Sequence, residues 1–253
     1  SKTYTLPQAK EISTCRYVGV NFNSQGNPNL KPSDNYNLDL KWDFNPTPTE
    51  LISLTAFYKL IKNPISRIEV ASAGGYLSYE NIADKATVAG VEIEIRKNLF
   101  VRPVSNAAHG MNKLSLGLNG SYIYTNAKMP LATVTTGSQL EGAAPWIVNF
   151  DLSHNFTKGE RSFVNTLVLN YVSDKIYTIG TQGYQDMMEQ GVLTLDFVSQ
   201  AKLNKHLSLN LKARNLLNPS YKLSRKANEN GEKVILNDYK KGINISLGVS
   251  CTF

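Results

Sequence analysis

The final stretch, YKKGINISLGVSCTF at 239–253, limits the possible fold more than any other part of the chain. Ile243, Ile245, Leu247, Val249, Cys251 and Phe253 alternate with Asn244, Ser246, Gly248, Ser250 and Thr252, so an extended chain puts one set on each face. One face is apolar and the other is small and polar. In water, an apolar strand running out to an aromatic chain end invites aggregation. Against lipid the same pattern is stable, because an outer-membrane barrel strand needs about 9–11 residues alternating apolar-out and polar-in, with aromatics at the interfaces. The expected fold is all-β, a transmembrane antiparallel β-barrel, with this stretch as its closing strand.

The rest of the chain repeats the pattern. Residues 35–44 place Tyr36, Leu38, Leu40, Trp42 and Phe44 opposite Asn37, Asp39, Lys41 and Asp43. No helical period fits that order. Residues 85–100 set Val91, Ile93 and Ile95 against Glu92, Glu94 and Arg96, three charges that a dry core would not accept and a wet lumen does. Ten strands are expected, at 10–20, 35–44, 50–61, 85–100, 112–126, 145–157, 161–173, 191–203, 207–217 and 239–253. The connections at 21–34, 62–84, 127–144, 174–190 and 218–238 are long, while those at 45–49, 101–111, 158–160 and 204–206 are shorter. Long and short connections alternate throughout, as they do in barrels with short periplasmic turns and longer external loops.

Composition agrees with this reading. No apolar run of about 18 residues exists, which excludes a helical span, and a mean hydropathy of −0.27 is what half-polar strands give. The net charge of +7 comes from scattered Lys and Arg with no basic stripe, so no nucleic-acid partner is expected. Cys15 and Cys251 fit no metal spacing and read as unpaired small hydrophobes. Ser1 reads as a processed or truncated start.

Chemistry is sparse. His109 and His206 fall in expected periplasmic turns, and His154 shares the lipid-facing side of its strand, so none stands where an outer-rim catalytic base would be needed. No GxSxG motif or metal cluster occurs, and no enzyme activity, cofactor or metal is expected. The candidate ligand-gripping residues are aromatic and basic side chains of the outer loops: Tyr76, Tyr79, Tyr177, Tyr184, Tyr221, Lys222 and Arg225. Tyrosines at that level also serve as a membrane girdle.

Three segments resemble a known family. GNPNLKPSDNYNLDLKW at 26–42 is similar to the Asn-Pro-x-Leu-Lys-Pro loop and descending strand of TonB-dependent outer-membrane receptors. SLTAFYKLIKNPI at 53–65 resembles the ascending strand that follows it, and LSLNLKARNLLNPSYKLSR at 207–225 resembles the penultimate strand with its Asn-Leu-x-Asn signature. Phe253 matches the family's barrel-assembly terminus, and the last loop is similar to receptors of the Bacteroidetes type. The resemblance implies that residues 1–253 form the C-terminal section of a barrel of about 22 strands, with the plug and N-terminal strands lying elsewhere. It also implies energised uptake of a scarce nutrient such as an iron chelate, a cobalamin-like cofactor or a glycan.

The implied partners are the N-terminal remainder of the same receptor, the TonB complex and outer-membrane lipid, with a surface lipoprotein as a further candidate. Asp39, Lys41, Glu92, Glu94, Arg96, Asp196, Lys212 and Arg214 would then face the plug across the lumen. A free-standing ten-stranded barrel acting as adhesin, pore or surface enzyme is the alternative, and a soluble β-protein is a third reading.

Overall fold

The computed structural model describes residues 1–253 except 71–74, 105–109, 130–138, 182, 228–230 and 253, so His109 and the terminal Phe253 lie outside the described residues. The first half comprises β1 (Lys2–Thr5), a one-turn helix α1 (Ala9–Ile12), β2 (Arg16–Tyr17), β3 (Ser24–Gln25), β4 (Ser33–Phe44), β5 (Leu51–Lys62), β6 (Ile65–Val70), β7 (Tyr76–Asn81), β8 (Lys85–Pro103) and β9 (Met111–Ala127). The second half adds β10 (Trp146–Lys158), β11 (Arg161–Val172), β12 (Lys175–Thr178), β13 (Met187–Glu189), β14 (Val192–Lys202), β15 (Leu207–Arg214), β16 (Ser220–Lys226), β17 (Lys233–Lys240) and β18 (Asn244–Cys251). Among the described residues no helix is long and apolar enough to cross a membrane. Strands make the crossing.

Ten strands form one antiparallel wall in the order β1-β4-β5-β8-β9-β10-β11-β14-β15-β18. The wall is open. Among the described residues its first strand pairs only with the outer end of β4, Ser33 to Tyr36, and β18 pairs only with β15. Leu38, Leu40 and Leu247 are 70%, 73% and 70% exposed, which marks the outward face as a surface made for lipid. Tyr122 packs on Trp146 at the outer end, with ring centroids 4.6 Å apart, and Phe156 meets Phe163 at the periplasmic end at 6.5 Å. The eleven residues from Trp146 to Phe156 cover about 25 Å of membrane once strand tilt is included, the height of a barrel's apolar band.

Two expected boundaries are corrected. Residues 10–20 do not enter the wall. The first wall strand is instead Lys2–Thr5, fastened to β4 on the inner side by Asn35 Nδ2 donating to Thr5 Oγ1 (2.9 Å) and Asn37 Nδ2 to Thr3 Oγ1 (3.2 Å). Residues 10–20 have no alternating face, and α1 takes its start from a capping box in which the Gln8 N–H donates to Glu11 Oε2 at 2.8 Å. The closing strand begins at Asn244 rather than 239, because Tyr239 belongs to β17 and Gly242, at φ +79°, turns the chain between them.

The external connections fold into two four-stranded sheets, β12-β13-β16-β17 and β2-β3-β7-β6. The buried apolar core of the molecule is here. Ile68, Ile82, Leu140, Ile176 and Ile179 from the connections pack on Ala86 and Ala127, which are inward-facing residues at the outer ends of β8 and β9. The connections therefore fold in over the lumen side as a cap, while the wall itself has lipid on one face and lumen on the other.

Candidate substrate cleft and lumen wall

The inner face is built in rows that follow the strand register. One row runs Asp43, Ser53, Glu94, Asn119, Asn149, Asn170, Thr194 across seven strands. Three asparagines in it are joined, Asn149 Nδ2 donating to Asn119 Oδ1 at 3.3 Å and Asn170 Nδ2 donating to Asn149 Oδ1. Glu94 is paired with Arg96 at 2.6 Å and Lys41 with Asp43 at 3.2 Å. Asp39, Glu92, Lys212 and Arg214 are exposed on the same inner face. Asp196 is engaged differently, its Oδ1 accepting the Asn215 N–H at 2.8 Å where β15 ends.

The cap is held together by charge and by backbone. The Ile179 N–H donates to the Arg67 carbonyl (3.0 Å) and the Glu69 N–H to the Ile179 carbonyl (3.2 Å), which joins the two outer sheets. Arg67 makes a two-pronged pair with Glu141, Nη2 to Oε1 at 2.8 Å and Nε to Oε1 at 3.2 Å, and the guanidinium centre also lies 4.0 Å from the Tyr177 ring centroid. Glu69 pairs with Arg225, whose guanidinium sits 5.3 Å from the Tyr184 ring.

Beside these locks an open cleft of about 460 Å³ is lined by Tyr177, Tyr221, Tyr239, Lys222, Glu189 and Asn237, with Val20, Asn21 and Leu223 completing it. The placement follows from strand geometry. In β12, Ile176 and Thr178 are buried while Tyr177 points the other way into the cleft. Tyr221 and Tyr239 are partners across β16 and β17, with rings stacked at 5.5 Å and 20°. Lys241 Nζ lies 3.8 Å from the Tyr221 ring centroid. Charge around the cleft is balanced by Lys175–Glu189 (3.4 Å) and Lys222–Asp238 (3.7 Å).

Of the loop residues singled out from the sequence, Tyr177, Tyr221 and Lys222 share this cleft. Tyr76 lines a neighbouring cavity of about 380 Å³ that shares Val20 and Asn21 with it. Tyr79 is half-buried nearby; burial pushes its phenol above the usual range against the opposing pull of Arg67. Tyr184 and Arg225 stand apart with Glu69, Arg225 next to a second cavity of about 410 Å³. Tyr239, Glu189, Arg67 and Glu141 were not singled out. Pairing across β16 and β17 brings Tyr239 to Tyr221, and no local pattern announces a partner 74 residues away for Arg67. Among the described residues no group of three or more His, Cys, Asp and Glu side chains could hold a metal ion.

Against known proteins, the family model for the TonB-dependent receptor-like β-barrel matches residues 1–216. The chain belongs to that family. It is thus a transmembrane β-barrel of a bacterial outer membrane, from a family of receptors and transporters. Among solved structures, the copper transporter OprC superposes with a TM-score of 0.62 at 14% identity, covering 100% of this chain and 37% of that one. A mutant ferric enterobactin receptor, PfeA from Pseudomonas aeruginosa, gives 0.55 at 16% identity with the same coverage. Both show the fold, and the chain spans 37% of the length of each. A sequence search of curated proteins gives no match.

The family's Asn-Leu-x-Asn signature acquires a physical meaning in the structure. Asn215 and Asn218 both adopt left-handed backbone, at φ +59° and +43°. Asn215 Nδ2 donates to the Gly242 carbonyl at 2.7 Å, and the Gly242 N–H donates to Asn218 Oδ1 at 3.0 Å. The two asparagines thus clasp the point where the chain leaves the last external hairpin and enters β18.

Proposed function

We propose that this chain is the C-terminal section of a TonB-dependent receptor of about 22 strands, and that the receptor takes up a scarce nutrient across the outer membrane. The rest of the barrel and a plug close the open wall at β1 and β18. Unpaired strand edges cost several kcal/mol per group in hydrocarbon by rough estimate, so an open wall of ten strands calls for such neighbours. In the family generally, the plug moves when TonB pulls on it. This section contributes wall, lumen lining and external cap.

The observation that carries the reading is the cap: the external connections pack into an ordered layer over the lumen side and leave an open, tyrosine-lined cleft. Balanced charge means that a ligand there is held by aromatic contact and hydrogen bonding rather than by bulk charge. The candidate substrates are an iron chelate, a cobalamin-like cofactor and a glycan. Tyr177, Tyr221 and Lys222 would touch it directly, and Arg67 would hold Tyr177 in place.

The test is accumulation of labelled candidates by cells expressing the intact receptor, with and without a working TonB complex. Uptake of one class that needs TonB and drops in Tyr177→Ala or Tyr221→Ala cells is expected. Accumulation indifferent to TonB would end the proposal, as would a denatured mass of only 28.0 kDa for a chain that folds alone in detergent.

A further inference from the structure

The lipid-facing side of the wall departs from its own pattern at one level. On β10, β11 and β14 the outward positions run from Trp146, Tyr171 and Leu193 at the outer end, through apolar residues, to His154, Asn165 and Ser199 in one register row; on β9 that row falls at Leu114, and Asn112 lies one step further toward the periplasm, opposite Phe156. This polar row spans three adjacent strands. His154 stands directly opposite Asn165, His154 Nε2 is 2.8 Å from Asn112 Oδ1, and Ser199 Oγ donates to Asn165 Oδ1 at 2.7 Å. Next toward the periplasm come Phe156 and Phe163, then Lys158 and Arg161 at the hairpin end.

The order is unusual. A barrel surface normally passes from apolar to aromatic to charged as it leaves the membrane. Here a polar row sits on the hydrocarbon side of the aromatic pair, about 5 Å deeper by strand rise and tilt. The internal bonds use the oxygens of Asn112 and Asn165 as acceptors, so both amide groups keep their N–H donors. The Asn165 donors at that depth have no water to meet, and an unmet polar group in hydrocarbon is costly; those of Asn112 stand one step nearer the membrane surface, level with Phe156.

We propose that this surface holds one glycerophospholipid of the periplasmic leaflet. Lys158 and Arg161 bind its phosphate, a charge-assisted contact at the membrane surface. The amide groups of Asn112 and Asn165, with His154 and Ser199, bind its ester carbonyls just inside. The acyl chains lie along Leu152, Leu167 and Phe197. A phospholipid is the molecule of that leaflet that carries an anionic phosphate, carbonyl acceptors a few ångströms deeper, and chains below them in the same order as this surface. The proposal rests on the outer-membrane location and not on the transport reading.

The experiment is native mass spectrometry of the intact receptor extracted from outer membranes in mild detergent, titrated with phosphatidylglycerol. The parent is compared with a His154→Leu, Asn165→Leu double variant and a Lys158→Gln, Arg161→Gln double variant. The parent is expected to retain one phospholipid, with affinity about tenfold lower in each variant, the loss expected for two hydrogen bonds. In parallel, phosphatidylglycerol raises the thermal midpoint of the parent but not of the variants.

No phospholipid on the parent overturns the proposal, as does equal binding by the leucine variant or a co-purifying protein chain in place of lipid. If the leucine variant misfolds, the charge variant at the exposed hairpin end decides the matter by the same two readouts, and undiminished binding there overturns it.

Discussion

Replacing Asn215 separates two forces that hold the last external hairpin. At φ +59° the backbone of Asn215 lies where an alanine costs about 1–2 kcal/mol and a glycine costs nothing steric. Its side chain also donates at 2.7 Å to the Gly242 carbonyl, a bond whose loss costs about 1 kcal/mol. Asn215→Ala removes both contributions and should destabilise by about 2–3 kcal/mol. Asn215→Gly keeps the backbone comfortable and should lose about 1–1.5 kcal/mol, the hydrogen bond plus some added freedom of the unfolded chain. The assay is the urea midpoint of the heat-modifiable band of the purified receptor, with hydrogen exchange at the Gly242 amide as the local readout. Glycine should outperform alanine by about 1 kcal/mol even though it is the more flexible residue elsewhere. If alanine matches or exceeds glycine, the left-handed backbone is not what selects asparagine here, and the account of the signature fails.

Other consequences are as direct. Glu141→Gln leaves the half-buried Arg67 without its carboxylate and should loosen the cap by about 2–3 kcal/mol, less than the full cost at a dry site, seen as faster protease cleavage of the external connections in intact cells; unchanged cleavage would remove the lock from the argument. Arg67→Lys keeps the charge but loses the fork and the flat contact with Tyr177, so it should weaken ligand binding more than it lowers stability. Glu50 ties the β4–β5 turn to β8: the Asn98 N–H (3.0 Å) and then Lys97 (3.2 Å) hold its carboxyl below the usual range. A carboxyl depressed by folding stabilises fully above the ordinary glutamate range and loses that contribution as pH falls through its lowered value. Protection of the Asn98 amide, taken relative to its intrinsic exchange rate at each pH, should therefore fall with acid in the parent, and Glu50→Gln should abolish that fall.

The wall could be read from the chain because its rule is local. Leu38, Leu40 and Trp42 against Asp39 and Lys41 need no distant information, and the alternation alone sets which side meets lipid. The cap could not be read that way. Ile68, Leu140 and Ile176 look like ordinary apolar residues of loops until three separate connections are brought together, and Arg67 finds Glu141 only through that packing. The same reason explains the misplaced first strand. Residues 10–20 offered an apolar composition without an alternating face, while Lys2–Thr5 had the face, since Thr3 and Thr5 meet the inner asparagines of β4. The cleft was half legible: its tyrosines stood out as aromatics in polar loops, but which of them meet depends on the β16–β17 register.

The position of the buried core also sets an order of events during assembly. Ile68, Leu140 and Ile176 come from connections separated by whole hairpins of wall, so the cap can close only after strands β5 to β14 are already side by side. Its contacts span long stretches of chain, and bringing such ends together is slow until something else holds them. A register slip of one residue in β8 or β9 would turn Ala86 or Ala127 toward lipid and take away the surface on which Ile68 and Ile179 pack. Packing of the cap thus depends on the wall beneath it: strands paired out of register there would leave the external connections without their core.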